Sequence, residues 1–152
     1  MKIEAMRNGL ISVVVPAGKY VLGDPCYSVP DALWLPLLKS CDYFVNPIGT
    51  VNGVNVLAFS TMYGDGEYRA SNGENYPVDA GLIGLVPYDF AEINYPYSVT
   101  IVTFDEPTYC YKDGQGTLTF GDIDIYTGLS DDEYDFLNNE WDGDDCENED
   151  ED

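Results

Sequence analysis

FVNPIGTVNGVNVLAFST, residues 44–61, holds two apolar, β-branched runs joined at Asn52-Gly53. An Asn-Gly pair suits a two-residue hairpin turn, because both central residues of that turn sit at positive φ. Glycine has no Cβ to clash there, and asparagine tolerates the left-handed region. The pattern predicts an antiparallel hairpin of 44–51 with 54–61, and so a chain built mainly from antiparallel strands.

Reading outward supports that class. Toward the C-terminus, Gly64-Asp65-Gly66 is a glycine-bracketed turn, and Ser71-Asn72-Gly73 is another, flanked by 67–70 and 75–77. Residues 79–86 (DAGLIGLV) are apolar with two glycines, as expected of a buried strand closely approached by another backbone. Residues 98–104 and 108–112 alternate, Asp113-Gly114-Gln115-Gly116 turns into 117–120, and 122–126 (DIDIY) alternates acid with apolar. Toward the N-terminus, 10–15 is a β-branched run closed by Pro16-Ala17-Gly18 and followed by 19–22. Two short strands with a turn between them are expected here. Ser28-Val29-Pro30-Asp31 offers a helix start, with Ser28 as the cap and Asp31 at the positive end of the dipole. Leu33, Trp34, Leu37 and Leu38 fall at helical spacing, and Pro36 implies a short or kinked helix.

Near the C-terminus the period changes. Ser130-Asp131-Asp132-Glu133 matches a capping box, and Tyr134, Leu137 and Trp141 lie at i, i+3 and i+7. An amphipathic helix over about 131–141 is expected to dock on the sheet, followed by a disordered acidic tail at 142–152. The expected architecture is α+β: a mainly antiparallel β-sheet, as a sandwich or partly open barrel, with one short internal helix and one C-terminal amphipathic helix. Residues 1–141 would form a single domain.

Composition narrows the function classes. At 152 residues the chain is long enough to bury a core, and 14% aromatic content argues against disorder of the body. No run reaches the roughly 18 consecutive apolar residues of a membrane span. Glu4 and Arg7 interrupt any secretory apolar region, so a cytoplasmic protein is expected. Cys26, Cys41, Cys110 and Cys146 form no C-x-x-C pair, and without histidine a zinc site is not expected. The four are read as reduced thiols. The lack of histidine also removes Ser-His-Asp and Cys-His catalysis. No phosphate-binding glycine loop is present. Hydrolysis by two carboxylates remains open, but no pair stands out among 28 acids. The protein is therefore expected to be non-enzymatic and to carry no cofactor.

Charge is the strongest functional signal. The chain has 28 acids against 6 bases, and 13 of the acids lie in 129–152, which contains no Lys or Arg. Adaptation to high salt would spread acid over the whole surface, so that explanation is secondary. A polyanion cannot bind a phosphate backbone by counterion release, which needs clustered bases. The many aromatics do not make a single-strand platform either, since stacking works together with a positive groove. Direct nucleic-acid and membrane binding are not expected. The expected partner is a basic protein surface, such as that of a nucleic-acid-binding host protein. Asp131, Asp132, Glu133, Asp135, Glu140, Asp142, Asp144 and Asp145 are the candidate contact residues. The Asp142–Glu147 stretch lacks the glycine at loop position six and the distal bidentate glutamate of a calcium loop.

Within the body, three glycine-linked aspartates are the other candidates: Asp24 in GDPCY, Asp65 in YGDGEY and Asp79 in VDAG. Convergence of the three at one rim would make a small-ligand or divalent-metal site. The alternative is that they shape turns through Asx hydrogen bonds. A third reading is a structural or accessory protein whose acidic end confers solubility. The series GDPCY, YGDGEY and VDAGLIG, spanning about 17–86, resembles a pattern in small uncharacterised phage and bacterial proteins. The resemblance implies a phage-encoded accessory protein acting in the host cytoplasm. It assigns no residue roles, and the acidic tail lies outside it.

Overall fold

The computed structural model describes residues 1–5 and 11–128. In chain order the elements are β1 (Lys2–Ala5), β2 (Ile11–Val15), β3 (Gly18–Gly23), a 3-10 turn (Pro25–Tyr27), α1 (Asp31–Ser40), β4 (Ile48–Val51) and β5 (Val54–Ser60). There follow β6 (Gly66–Arg69), β7 (Asn75–Val78), β8 (Leu82–Pro87), β9 (Thr100–Phe104), β10 (Thr108–Lys112), β11 (Thr117–Phe120) and β12 (Ile123–Tyr126). One sheet has the order β1-β2-β10-β11-β12, a second β4-β5-β8-β3-β9, and β6-β7 is a separate hairpin. All the strand pairings are antiparallel. The chain leaves the first sheet after β2 and rejoins it at β10. Everything between is enclosed in sequence by the two halves of that sheet.

The second sheet is buried on both faces, and the period-two alternation of its strands sorts side chains between two cores. Leu57 and Phe59 of β5, Tyr20 and Leu22 of β3, and Ile83 and Leu85 of β8 pack with Val13, Val15, Leu118, Phe120 and Ile125 of the first sheet. Val56, Ala58, Val21, Leu82 and Val86 point the other way and pack with Leu37, Cys41 and Phe44 around α1. Double burial explains why DAGLIGLV reads as a continuous apolar run rather than an alternating one. It also explains Gly84: a Cβ there would lie 1.7 Å from the Leu57 carbonyl oxygen. The β6-β7 hairpin adds Tyr68, Tyr76 and Val78 to the first core.

The Asn52-Gly53 turn forms as expected, with φ of 51° and 76° and Val51 paired to Val54. The structure corrects several finer expectations. Strand β4 begins at Ile48, not at 44, because Asp42, Tyr43 and Phe44 all have positive φ (54°, 58° and 62°). This left-handed turn follows α1 and is held by Tyr43 N–H on Leu38 O at 2.7 Å and Asn46 N–H on Cys41 O at 3.2 Å. It drives Phe44 into the core beside Leu37 while leaving Tyr43 and Val45 exposed. Such residues cost roughly 1–2 kcal/mol each, which burial of a phenylalanine offsets only in part.

The cap of α1 is Pro30, not Ser28, and it makes no side-chain hydrogen bond. Ser28 is buried in the preceding turn, where its main-chain N–H reaches Pro25 O and its carbonyl accepts from Glu92 N–H. The helix runs through Pro36 for 10 residues. Pro36 and Ala32 both face solvent, so water can satisfy the carbonyl that the proline leaves without a donor. The turn after β2 does not form a hairpin; it carries the chain from the first sheet to the second. Strand β1, a short charged edge, was not foreseen. The helix expected at 131–141 and the tail at 142–152 lie outside the described residues.

Gly84→Ala is expected to destabilise the fold by at least about 3 kcal/mol, because backbone on a central strand must move to admit the methyl group. A urea titration followed by tryptophan fluorescence checks this, with Gly53→Ala as a turn variant into open space.

Candidate functional site

Strand β3 ends in Gly23, and the chain then turns sharply through Asp24-Pro25-Cys26-Tyr27. Asp24 is the N-cap of the 3-10 turn, and Pro25 occupies the first helical position, where a missing N–H costs nothing. Asp24 is fully buried. Its Oδ1 accepts from Cys26 N–H at 3.0 Å, and its Oδ2 accepts from Asp79 N–H at 2.9 Å and Ala80 N–H at 2.7 Å. One carboxylate thus ties the turn after β3 to the loop entering β8, 55 positions away. These hydrogen bonds to a charged acceptor are the stronger kind.

The Gly64-Asp65-Gly66 loop closes the same end. Gly81 lies against Gly64, with a hypothetical Cβ 3.7 Å from the Gly64 Cα. Thr61 Oγ1 donates to Gly64 O at 2.6 Å, and Tyr68 Oη donates to the same carbonyl at 2.9 Å. Met62 N–H donates to Thr127 Oγ1 at 3.1 Å, fastening the first sheet to this loop. Lys112 Nζ reaches Ser60 Oγ at 3.1 Å across the same end.

The three glycine-linked motifs therefore meet at one end of the molecule, but their carboxylates serve different ends. Asp24 is buried and occupied by main-chain donors; Asp65 and Asp79 are exposed. Among the described residues no group of three or more His, Cys, Asp or Glu is placed to hold a metal ion. The turn-shaping alternative describes Asp24 well, and Asp113 likewise accepts from Gln115 N–H and Thr117 N–H. Asp131, Asp132, Glu133, Asp135, Glu140, Asp142, Asp144 and Asp145 lie outside the described residues. Their segment is attached at Gly128, which packs against Gln115 and Gly116 at this same end.

No family model, curated protein or solved structure matches the chain. The site is therefore read from its own chemistry.

Beside Asp24 sits the Cys26 thiol, which sequence reasoning did not single out. Burial pushes it up to about 12, and the adjacent charge of Asp24, a hydrogen bond to that carboxylate and the charge of Asp79 act in the same direction. The Ala80 N–H opposes them. A thiol held protonated at neutral pH is a poor nucleophile and a poor metal ligand, since both roles need the thiolate. Tyr27 is raised as well, first by burial, and its ring meets Tyr95 at 5.4 Å between centroids. This cluster is chemically quiet. The Asp-Pro step after a strand was its sequence signal, because Asp at a cap and Pro in the first turn mark a helical start. No helix among the described residues is long and apolar enough to cross a membrane.

Two predictions follow from these contacts. Asp24→Ala leaves three main-chain N–H groups without their acceptor and is expected to destabilise by about 2–4 kcal/mol; Asp79→Ala, which keeps its N–H, by less than about 1 kcal/mol. Denaturant midpoints compare the two. The thiols of Cys26 and Cys110 both stand at about 12, above an ordinary value of 9.0. Below pH 9 both are protonated, folded or unfolded, and their contribution is intact. As pH rises toward 12 the unfolded chain releases protons that the folded chain keeps, so stability falls. The midpoint is expected to drop between about pH 9 and pH 11, and to drop less steeply in Cys26→Ser.

Proposed function

We propose that this protein acts by binding, without chemistry of its own, and that it offers a basic protein surface the carboxylates of a concentrated anionic face. The observation that carries this reading is the charge distribution: 28 acids against 6 bases, with 13 acids in 129–152 and no base among them. Duplex DNA carries one charge per ~1.7 Å of axis, so a net charge of −22 corresponds to roughly a dozen base pairs of phosphate. A protein surface that normally holds nucleic acid is the partner such a charge fits best. The resemblance to phage proteins suits an inhibitor of a host nucleic-acid-binding protein, working in the host cytoplasm.

Two features of the folded body support this reading. Its best-organised polar cluster, around Asp24, is engaged in holding loops together, and the neighbouring thiol is kept protonated. Gly128, the residue before the acidic segment, also stands at the end that carries the exposed carboxylates of Asp65 and Asp79.

Replacing all 13 carboxylates of 129–152 with amides tests the proposal. Partners are captured from host lysate at about 50 mM and about 500 mM salt, with duplex DNA as competitor. The unmodified chain is expected to retain its partner at low salt, to lose it at high salt, and to be displaced by the duplex. Equal retention by the amide variant would remove the reading.

A further inference from the structure

The two large sheets end in four edge strands, and three of these are protected. Strand β1 carries Lys2 and Glu4, whose charged groups pair at 3.4 Å on the edge. Strand β4 is closed by α1 and its exit turn: Thr50 N–H donates to Ser40 Oγ at 2.9 Å and Ile48 N–H to Asn46 Oδ1 at 3.0 Å. Strand β12 is covered by the β6-β7 hairpin, where Ser71 N–H donates to Asp124 O at 2.8 Å and Asp124 N–H to Ser71 Oγ at 2.9 Å. Charge, a cap and a covering loop are the usual devices against unwanted strand pairing.

Strand β9, Thr-Ile-Val-Thr-Phe, has none of them. It contains no charge and no proline, and among the described residues its main-chain partner is β3. The register fixes which groups face outward. Tyr88 N–H donates to Lys19 O at 3.0 Å, so Lys19 turns its main chain toward β8. Alternation then turns Gly18, Tyr20 and Leu22 toward β9, where they pair with Phe104, Val102 and Thr100. Ile101 and Thr103 are left with N–H and C=O directed away from the sheet. Both side chains are exposed, Ile101 at 44%.

We infer that β9 is a docking edge that takes an extended segment of the basic partner as an added strand. Main-chain bonds at Ile101 and Thr103 supply the pairing, as in β-augmentation generally. The inference rests on the proposed function for the sign of the partner's charge. Asp105 and Glu106 follow β9 directly, and a second copy of this chain would bring two charges of −22 together. A cationic strand is attracted where a second copy is repelled. Val102 and Phe104, half-buried on the inner side of β9, call for apolar residues at alternate positions of the incoming strand.

The test uses the full chain and two synthetic peptides of about eight residues, one alternating lysine with valine and one alternating lysine with proline. Their charge is equal, and only the first can pair as a strand. Binding is measured by calorimetry, and amide exchange at Ile101 and Thr103 by NMR. The valine peptide is expected to bind about tenfold or more tightly than the proline peptide and to slow exchange at both amides. Thr103→Pro, which removes an outward N–H, should abolish that difference. Ile101→Lys, a gentler edge blocker, serves should the proline variant fail to fold. Equal affinities without protection at the two amides would overturn strand addition and leave the electrostatic proposal standing. Failure of both peptides to bind would overturn both. Concentration-dependent protection in the free chain, abolished by Thr103→Pro, would assign the edge to a second copy and overturn the basic occupant.

Discussion

A carboxylate taken out of water must find hydrogen-bond donors or cost several kcal/mol, and Asp24 finds three on the main chain. Those donors belong to two separate loops. The 3-10 turn leaves the Cys26 N–H at its start without an internal acceptor, and the Asp79 and Ala80 N–H groups lie between strands, so the carboxylate serves all three. The position of the turn after β3 therefore fixes the entry of β8, and β8 lies at the centre of the second sheet. With β8 placed, its neighbours β5 and β3 follow in register, and the Gly64 loop packs on Gly81. Among the described residues Asp24 is the only fully buried charged side chain, and it joins the turn at 24–27 to the loop at 79–80.

The nested order of strands gives this clasp its leverage. The first sheet pairs β10 with β2, and the strands of the second sheet and of the small hairpin lie between those two in sequence. The N-terminal and C-terminal strands together form the sheet that covers one face of the second. Many of the contacts are distant in sequence, and the specific tie between 24 and 79–80 helps to fix the register. The second sheet, apolar on both faces, gains from both cores. A single slip in β8 would exchange Ile83 and Leu85 for Leu82 and Val86 across the sheet, and would drive Gly84 out of the one position where β5 tolerates no Cβ.

Local turn chemistry made much of this readable from sequence. Asn52-Gly53, Ser71-Asn72-Gly73 and Asp113-Gly114-Gln115-Gly116 each act within a few residues, and each hairpin stands where they place it. The burial of 82–86 was visible from the apolar stretch DAGLIGLV and its two glycines. Less readable were features set by distant partners. The left-handed turn at 42–44 uses no glycine, and exists because Phe44 has a core waiting between Leu37 and Gly49. Ser28 looked like a cap by residue type, yet tertiary contacts placed the helix start at Pro30. The site shows the same split. The sequence marked Asp24, Asp65 and Asp79 as glycine-linked turn residues, and left open whether their loops would meet. Which of them would be buried depended on the donors at 79–80, to which no local pattern points.

The acids of this chain work on two length scales. Within the body many shape the chain: Asp24 and Asp113 accept main-chain N–H groups, and Asp124 accepts from Thr119 Oγ1 at 2.7 Å. Fifteen acids over the first 128 residues is not more than turn geometry and solubility ask of a protein with this many loops. Thirteen in the following 24 residues exceeds any local need, since one capping box uses few of them. Concentrated charge of one sign also opposes its own compaction, and the proposed function meets it with a counterpart of opposite sign. The body carries the exposed carboxylates of Asp65 and Asp79 at the end where Gly128 stands, and leaves the β9 edge uncharged. Under the proposed function, long-range attraction and short-range strand pairing are tasks of separate surfaces, the first drawing a partner in and the second selecting it.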